Sequence, residues 1–316
     1  IIEFPEVVKD RIKIQKKPSV NYEIDDEEKG EEKAESQRGN PQIPDGFILR
    51  EYQVDAIESW KNHGYRGIFD MATGTGKTYT GLGAVAKLFE ENRRLAIVIV
   101  CPYQHLVEQW VEDIELFNMN PIIGYSASKQ KKWKQRLEDD VFDFNLGIID
   151  SFCFVTTNAT YSSKFVSELM KDLGKDTLLL VDEAHNFGSE SLKQKLYPNI
   201  EFRLALSATL ERHGDEEGTN ALKRYFGEKC IEYGLKRAID EGKLTPYYYY
   251  PILVYLDEEE LNEYKDLSYQ IGKECHHDKQ GKLKVTNLGK TLLMRRASLV
   301  AGARGKLDLL RKKMVE

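Results

Sequence analysis

The chain has 316 residues, 41% hydrophobic and 31% charged, with a formal net charge of −6. These values suit a globular protein with a sizeable core and more than one part, and they exclude a polycation that grips nucleic acid by bulk charge. The four cysteines, Cys101, Cys153, Cys230 and Cys275, are scattered and form no C-x-x-C pair, so neither a disulfide framework nor a zinc ribbon is expected and a reducing, cytoplasmic setting fits. No apolar run is long enough to cross a bilayer, and no signal peptide opens the sequence. A start at Ile1 and a charged finish at Arg311–Glu316 are expected of a piece of a longer polypeptide.

In chain order, residues 1–22 read as the tail of a preceding segment. Residues 23–46 are acidic, poor in large apolar side chains and closed by Pro41, Pro44 and Gly46, the composition of a flexible linker. Residues 47–233 then alternate strand and helix signals. Arg66–Ala72 and Leu95–Pro102 are apolar, β-branched runs, each followed by a helical pattern (Thr78–Asn92, His105–Phe117). Asn145–Phe152, Thr177–His185 and Phe202–Thr209 are three further strand candidates. Continuous apolar strands between helices predict an α/β fold, a parallel sheet with helices on both faces. Beyond Gly234 the texture changes to a helix, a turn, an extended aromatic strand in which Tyr247–Tyr250 pack alternately, and a charged helical stretch to the end.

Between the first strand and its helix stands Met71-Ala72-Thr73-Gly74-Thr75-Gly76-Lys77-Thr78. Ligands of a parallel sheet gather at the carboxyl ends of its strands. There the backbone N–H groups of Thr73–Thr78 can turn around phosphate oxygens, aided by the positive end of the following helix. Gly74 and Gly76 leave that approach open. Lys77 would reach the outer phosphates, and the Thr78 hydroxyl would ligate magnesium. The general phosphate-loop pattern asks for glycine where Met71 stands. Asp182-Glu183 closes another apolar strand. One carboxylate there can hold magnesium and the second can take a proton from an attacking water, which assigns Asp182 to the metal and Glu183 to the general base.

Together these stretches resemble superfamily 2 helicases and translocases. Asp182-Glu183-Ala184-His185 is similar to their DEAH box, and Met71–Thr78 to their motif I, whose first residue varies. Ile48–Gln53 resembles their Leu-Arg-x-Tyr-Gln element, which implies that Gln53, with Arg50, holds adenine. Ile97–Trp110 resembles motif Ia. Leu206–Arg212 resembles motif III, with Leu210 where a proline often stands. The resemblance covers residues 48–212 and implies a RecA-like P-loop lobe that uses ATP and Mg2+, with His185, Ser207 and Thr209 coupling the γ-phosphate to the nucleic-acid surface. It assigns backbone contacts to Pro102, Tyr103 and Gln104, and to Ser151 at the head of Asp150–Phe154. Residues 225–260 are similar to the segment that leaves the first lobe in helicase subunits of type III restriction enzymes and in phage-defence helicases, some of which carry a fused nuclease. Residues 234–316 then become an inter-lobe connection and the start of a second lobe, and the fragment alone is expected to turn over ATP poorly. The implied partner is nucleic acid, duplex DNA first; RNA unwinding, or a nucleotide-gated scaffold feeding DNA to a nuclease, are the other readings.

Two features stay open. Ser128–Arg136 is basic around Trp133, so it could bind phosphates and stack a base, or be a solvated helix face with Trp133 buried. Cys275–Asp278 holds metal-ligand types without a second cluster, which argues against a metal site.

Overall fold

The computed structural model describes residues 39–212, 215–277 and 283–315. The tail 1–22 and most of the acidic stretch lie outside the described residues. The chain divides into two compact units after Thr245.

The first unit is built on seven parallel strands: β1 (Arg66–Met71), β2 (Leu95–Cys101), β3 (Ile122–Gly124), β4 (Ser151–Thr157), β5 (Thr177–Val181), β6 (Phe202–Ser207) and β7 (Lys229–Tyr233). Their order across the sheet is β3-β4-β2-β5-β6-β1-β7. β2 is buried along its whole length, which is why it reads as a continuous apolar run. Its side chains alternate between two cores: Ile97 and Ile99 enter one, Ala96, Val98 and Val100 the other. The first core receives α1 (Glu51–Asn62), α2 (Lys77–Asn92) and α3 (Gln104–Leu116) through Trp60, Leu82 and Trp110. The second receives α4 (Trp133–Leu146), α5 (Asn158–Tyr161) and α6 (Lys164–Asp172) through Phe144, Tyr161 and Met170. A 3-10 turn (Ala184–Gly188), α7 (Glu190–Lys193) and α8 (Glu216–Phe226) complete that face. This is the RecA-like α/β arrangement expected from the alternation of signals.

Three expectations are corrected here. Asn145–Phe152 is not a strand: Asn145 and Leu146 end α4, Gly147 takes a left-handed φ of 74° to stop it, and β4 begins only at Ser151. Residues 39–46 are docked on the body rather than linking to it. Asn118 donates to the Asn40 carbonyl, the Gln42 N–H donates to the Phe117 carbonyl, and Pro41 is buried. The first unit also runs past the change of texture at Gly234. Ala238 of α9 (Leu235–Asp240) is buried in the first core, and Leu244 packs against it.

The second unit opens on residues 246–256, which join no described strand. Tyr247–Tyr250 are 60%, 87%, 81% and 78% exposed, so the expected alternate packing along a strand does not occur. After them come α10 (Glu258–Lys273), an antiparallel pair of β8 (Cys275–His277) and β9 (Leu283–Val285), α11 (Asn287–Ala301) and α12 (Gly305–Val315). Asp257 caps α10 by accepting from the Glu260 N–H at 2.9 Å. Glu260 in turn accepts from the Arg304 N–H at 2.9 Å, fastening the turn between α11 and α12 to the start of α10. Cys275–His277 are spent on β8, and Asp278 lies outside the described residues. Among the described residues no helix is long and apolar enough to cross a membrane.

Candidate nucleotide site

Because the seven strands of the first unit's sheet are all parallel, their carboxyl ends share one edge. β1 delivers the glycine loop there, β5 delivers Asp182-Glu183, and β6, which pairs with both, delivers Ser207. Met71 is fully buried as the last residue of β1. A side chain at this position anchors the loop in the core, where a glycine would leave a void. Gly74 and Gly76 hold φ of 83° and 87°, the left-handed region that favours glycine. A Cβ on Gly76 would meet the Gln53 amide nitrogen at 2.9 Å, so the curl of the loop and the position of Gln53 are fixed together. Thr75 is buried and its hydroxyl donates back to the Ala72 carbonyl at 2.6 Å. Thr73 is exposed, while Lys77 and Thr78 stand half-buried at the start of α2, whose first N–H groups have no partner within the helix.

The loop is braced from α1. The Tyr52 hydroxyl donates to the Thr75 carbonyl at 2.6 Å, and its ring stacks on Tyr233 with centroids 4.1 Å apart. Gln53 is buried, and both ends of its amide are engaged. It accepts from the Arg50 N–H at 2.9 Å, and its NH2 donates to Thr80 at 2.9 Å and to the Gly76 carbonyl at 3.3 Å. In this arrangement Gln53 braces the loop and presents no free amide edge to a base. Arg50 is exposed and donates to the Tyr52 hydroxyl at 3.0 Å.

The Lys77 ammonium lies 3.3 Å from Glu183 Oε1. Asp182 is nearly buried. Trp110 Nε1 donates to its Oδ2 at 3.0 Å, and the Glu183 N–H donates to its Oδ1 at 2.9 Å. Burial pushes the Asp182 carboxyl above its ordinary range; the Trp110 donor, the Lys77 charge and the Glu183 N–H oppose that, and the Glu183 charge adds to it. Glu183 holds a left-handed φ of 46°, a conformation unusual for a side chain of its size, which turns its carboxylate out of the strand direction. His185 Nδ1 sits 3.4 Å from Glu183 Oε2 without forming a hydrogen bond.

On β6, Ser207 is buried and accepts from the Thr209 N–H at 3.2 Å, while Thr209 is exposed. Leu210 is buried in the second core, so the residue standing in place of proline anchors the turn by packing. Arg212 ties this turn to the 3-10 turn after β5. It donates to the His185 carbonyl and pairs with Asp215 at 2.8 Å.

Pro102, Tyr103 and Gln104 follow β2 on the same edge, with Tyr103 exposed and stacked on His105 at 5.6 Å. Ser151 does not join them. It is the first residue of β4, at the amino end of the sheet, buried and donating to Asn40 at 3.0 Å. The resemblance places the contact at the head of Asp150–Phe154, whereas the carboxyl end of β4 is Thr156-Thr157. Trp110, Arg212 and the Tyr52–Tyr233 pair were not singled out from sequence. Tyr52, Trp110 and Arg212 do stand inside the stretches that resemble the Leu-Arg-x-Tyr-Gln element, motif Ia and motif III, but nothing in those stretches shows what each side chain touches.

The residues fit the groups the motifs imply. Thr78 and Asp182 line one cleft of about 260 Å³ and offer the hard oxygen donors that Mg2+ takes. The glycine loop is concave and backbone-lined, as a triphosphate needs.

A RecA-like lobe with this loop and these carboxylates is an ATP-binding lobe of the superfamily 2 helicase type. Residues 46–212 match the family of the type III restriction enzyme res subunit, and the chain belongs to that family. It is 32% identical over 179 residues to a DNA 3'-5' translocase XPB2 of Sulfurisphaera tokodaii, covering 54% of this chain and 33% of that protein. It is 26% identical over 211 residues to a type I restriction enzyme EcoAI endonuclease subunit of Escherichia coli, covering 64% of this chain and 24% of that one. The chain therefore spans about a third or less of the length of these relatives. Among solved structures, a nuclease-deletion mutant of the type ISP restriction-modification enzyme LlaGI bound to a DNA substrate mimic aligns with a TM-score of 0.49 at 17% identity over 72% of this chain and 22% of that one. The Pyrococcus furiosus Hef helicase domain aligns at 0.45 and 17% identity over 74% of this chain and 46% of that one.

Proposed function

We propose that this chain is the ATP-binding lobe of a DNA motor in which ATP hydrolysis drives movement on duplex DNA, within a restriction, phage-defence or repair protein of the cytoplasm. The observation that carries this reading is the meeting of Lys77 and Glu183 at 3.3 Å across the carboxyl edge, beside a glycine loop that needs positive φ at Gly74 and Gly76.

ATP is the substrate, its phosphates cradled by Thr73–Thr78 with Lys77 against the outer ones. Thr78 and Asp182 would hold Mg2+, which when bound neutralises charge on the phosphate oxygens. Glu183 holds the attacking water and takes its proton. Adenine lies on the Arg50–Gln53 side of the loop; Arg50 is the exposed group there, and Gln53 contributes by bracing Gly76. Arg212 gives His185, Ser207 and Thr209 a mechanical link between the two strand ends that flank the phosphates. Pro102, Tyr103 and Gln104 contact the nucleic-acid backbone without reading sequence. In this reading the first lobe, expected over residues 47–233, extends through α9 to Thr245, the residues after it lead toward a second lobe that closes over ATP, and any nuclease belongs to the larger protein.

The test uses the protein extended through a complete second lobe. ATP turnover is measured with duplex DNA, single-stranded DNA and RNA, for wild type and Glu183→Gln. Stimulation by duplex DNA is expected, together with loss of turnover but retained nucleotide binding in the variant. Wild-type binding of ATP with no turnover on any nucleic acid would sink the motor reading; strongest stimulation by RNA would redirect it to RNA.

A further inference from the structure

Two stretches lie outside the sequence motifs. In Ser128–Arg136, Trp133 is buried with its ring 6.0 Å from Phe154, so it offers no face to a base. Gln130 there is bonded along β3: the Ile123 N–H donates to its Oε1 at 3.0 Å, and its Nε2 donates to the Pro121 carbonyl at 3.1 Å. The other stretch is the exit from the first unit, residues 233–245, which runs from the end of β7 through α9 and follows the last motif, Leu206–Arg212.

This exit is fastened to the glycine loop at three points. The Ala72 N–H donates to the Tyr233 carbonyl at 2.9 Å, which ties the end of β7 to the start of the loop. The Tyr233 ring stacks on Tyr52, whose hydroxyl holds the Thr75 carbonyl. Leu244 reaches Gly74 from beyond α9: a Cβ on Gly74 would meet Leu244 Cδ2 at 3.1 Å. Leu244 is itself held in place. Gly242 takes a left-handed φ of 66° after α9, and the Lys243 and Leu244 N–H groups both donate to the Ala238 carbonyl, at 2.8 and 3.0 Å. Ala238 is fully buried in the first core, and Leu244 packs against that core. Glu241 closes the turn from outside. It accepts from the Tyr233 hydroxyl at 2.5 Å and from Arg237 at 2.8 Å, and the Arg237 guanidinium lies 4.8 Å from the Tyr233 ring centroid.

Gly74 is exposed and holds φ at 83°, one of several backbone conformations open to a glycine. A side chain packed on it removes the others before phosphates arrive, so less ordering is left to binding. We propose that Leu244 is a positioning residue of the phosphate loop, seating the turn at Gly74 for nucleotide, and that it passes nucleotide occupancy to the place where the chain leaves the first unit. Thr245 is the last residue of that unit, so the contact sits one residue from the boundary. This deepens the ATP reading of the site and rests on it. The coupling is reciprocal: whatever Leu244 adds to nucleotide affinity, bound nucleotide returns as stability of the turn at residues 241–244.

The test uses the full 316-residue chain. Its variants are Leu244→Ala, Leu244→Met, which keeps an apolar contact, and Leu222→Ala, a truncation of a fully buried residue in the second core. Affinity for a fluorescent ATP analogue with Mg2+ is measured by titration, and urea midpoints report stability. Trypsin cleavage after the exposed Lys243 is followed by mass spectrometry with and without saturating analogue. Leu244→Ala is expected to weaken the analogue about three- to tenfold. Leu244→Met is expected to stay within about twofold of wild type, and Leu222→Ala to lower the urea midpoint without changing affinity. In wild type the analogue is expected to slow cleavage at Lys243 several-fold, and in Leu244→Ala this protection is expected to vanish. The protection measured on wild type decides whether or not the alanine variant folds. Unchanged affinity in Leu244→Ala, equal weakening in Leu222→Ala, or wild-type cleavage at Lys243 that ignores nucleotide overturns the role of Leu244 and leaves the ATP reading standing. Absence of binding by wild type overturns both.

Discussion

Replacing Trp110 by phenylalanine tests how the metal-side carboxylate is held. Trp110 is 2% exposed and its indole N–H is the side-chain donor to Asp182 Oδ2 at 3.0 Å. Phenylalanine keeps most of the apolar contact and removes that donor. A hydrogen bond to a charged group contributes about 1.5–3 kcal/mol. The smaller ring leaves a void of a few tens of Å³, worth up to about 1 kcal/mol at about 24 cal/mol per Å³. The sum, about 2–4 kcal/mol, corresponds to a drop of roughly 5–15 °C in the melting of the first unit. Packing loss alone could give part of that drop, so the decisive measurement is a double-mutant cycle in urea with Trp110→Phe, Asp182→Ala and the pair. A coupling energy of about 1–2 kcal/mol is expected, since each single change already removes the shared bond. Strict additivity would refute the argument, because it would mean that the indole and the carboxylate do not stabilise one another.

Three further outcomes follow from other buried groups. Tyr52→Phe removes the 2.6 Å donor to the Thr75 carbonyl; a loss of about 1–2 kcal/mol in urea and a several-fold weaker affinity for a fluorescent ATP analogue are expected. Arg203 is buried on β6, with its guanidinium donating to the carbonyls of Ile200, Pro198 and Tyr225 at 2.9–3.0 Å. Arg203→Met leaves those acceptors unpaired and should destabilise the first unit by about 3–5 kcal/mol, read as a lower urea midpoint with nucleotide contacts untouched. Burial pushes the Cys153 thiol up to about 12 and holds Cys101 well above its ordinary range, so at pH 8 both should resist a disulfide reagent until the protein unfolds; prompt labelling of either would contradict their placement in the core.

The sheet was legible because its inner strands are buried on both faces. Leu95–Cys101 and Thr177–Val181 had no reason to alternate and read as unbroken apolar runs. β4 was misplaced for a local reason. Ile148 and Ile149 simulate a strand's start, but they lie beyond the glycine stop of α4, and Ile148 is exposed. Ser151, assigned by resemblance at the head of Asp150–Phe154, is the first residue of β4 and so stands at the edge of the sheet opposite the glycine loop. The phosphate loop and the Asp182-Glu183 pair were legible because their chemistry is encoded in short contiguous stretches. The braces were not: Tyr52 reaches Thr75, Trp110 reaches Asp182 and Arg212 reaches His185 only after folding. Gln53, singled out for its amide, also braces the loop through that amide, bonded to Arg50, Thr80 and Gly76.

The side chain of Gln130 also bears on how the molecule keeps to itself. β3 is the outermost strand on its side, and an open strand edge is a template on which another chain can add. Gln130 seats a primary amide on that edge, answering one N–H and one carbonyl as a neighbouring strand would, and lysines flank it on both sides. Gln130→Ala would uncover a short ladder beside a cluster of like charge. The expected consequence is slow association through β3, visible as dimers in sedimentation at high protein concentration and suppressed at low salt, where the lysines repel.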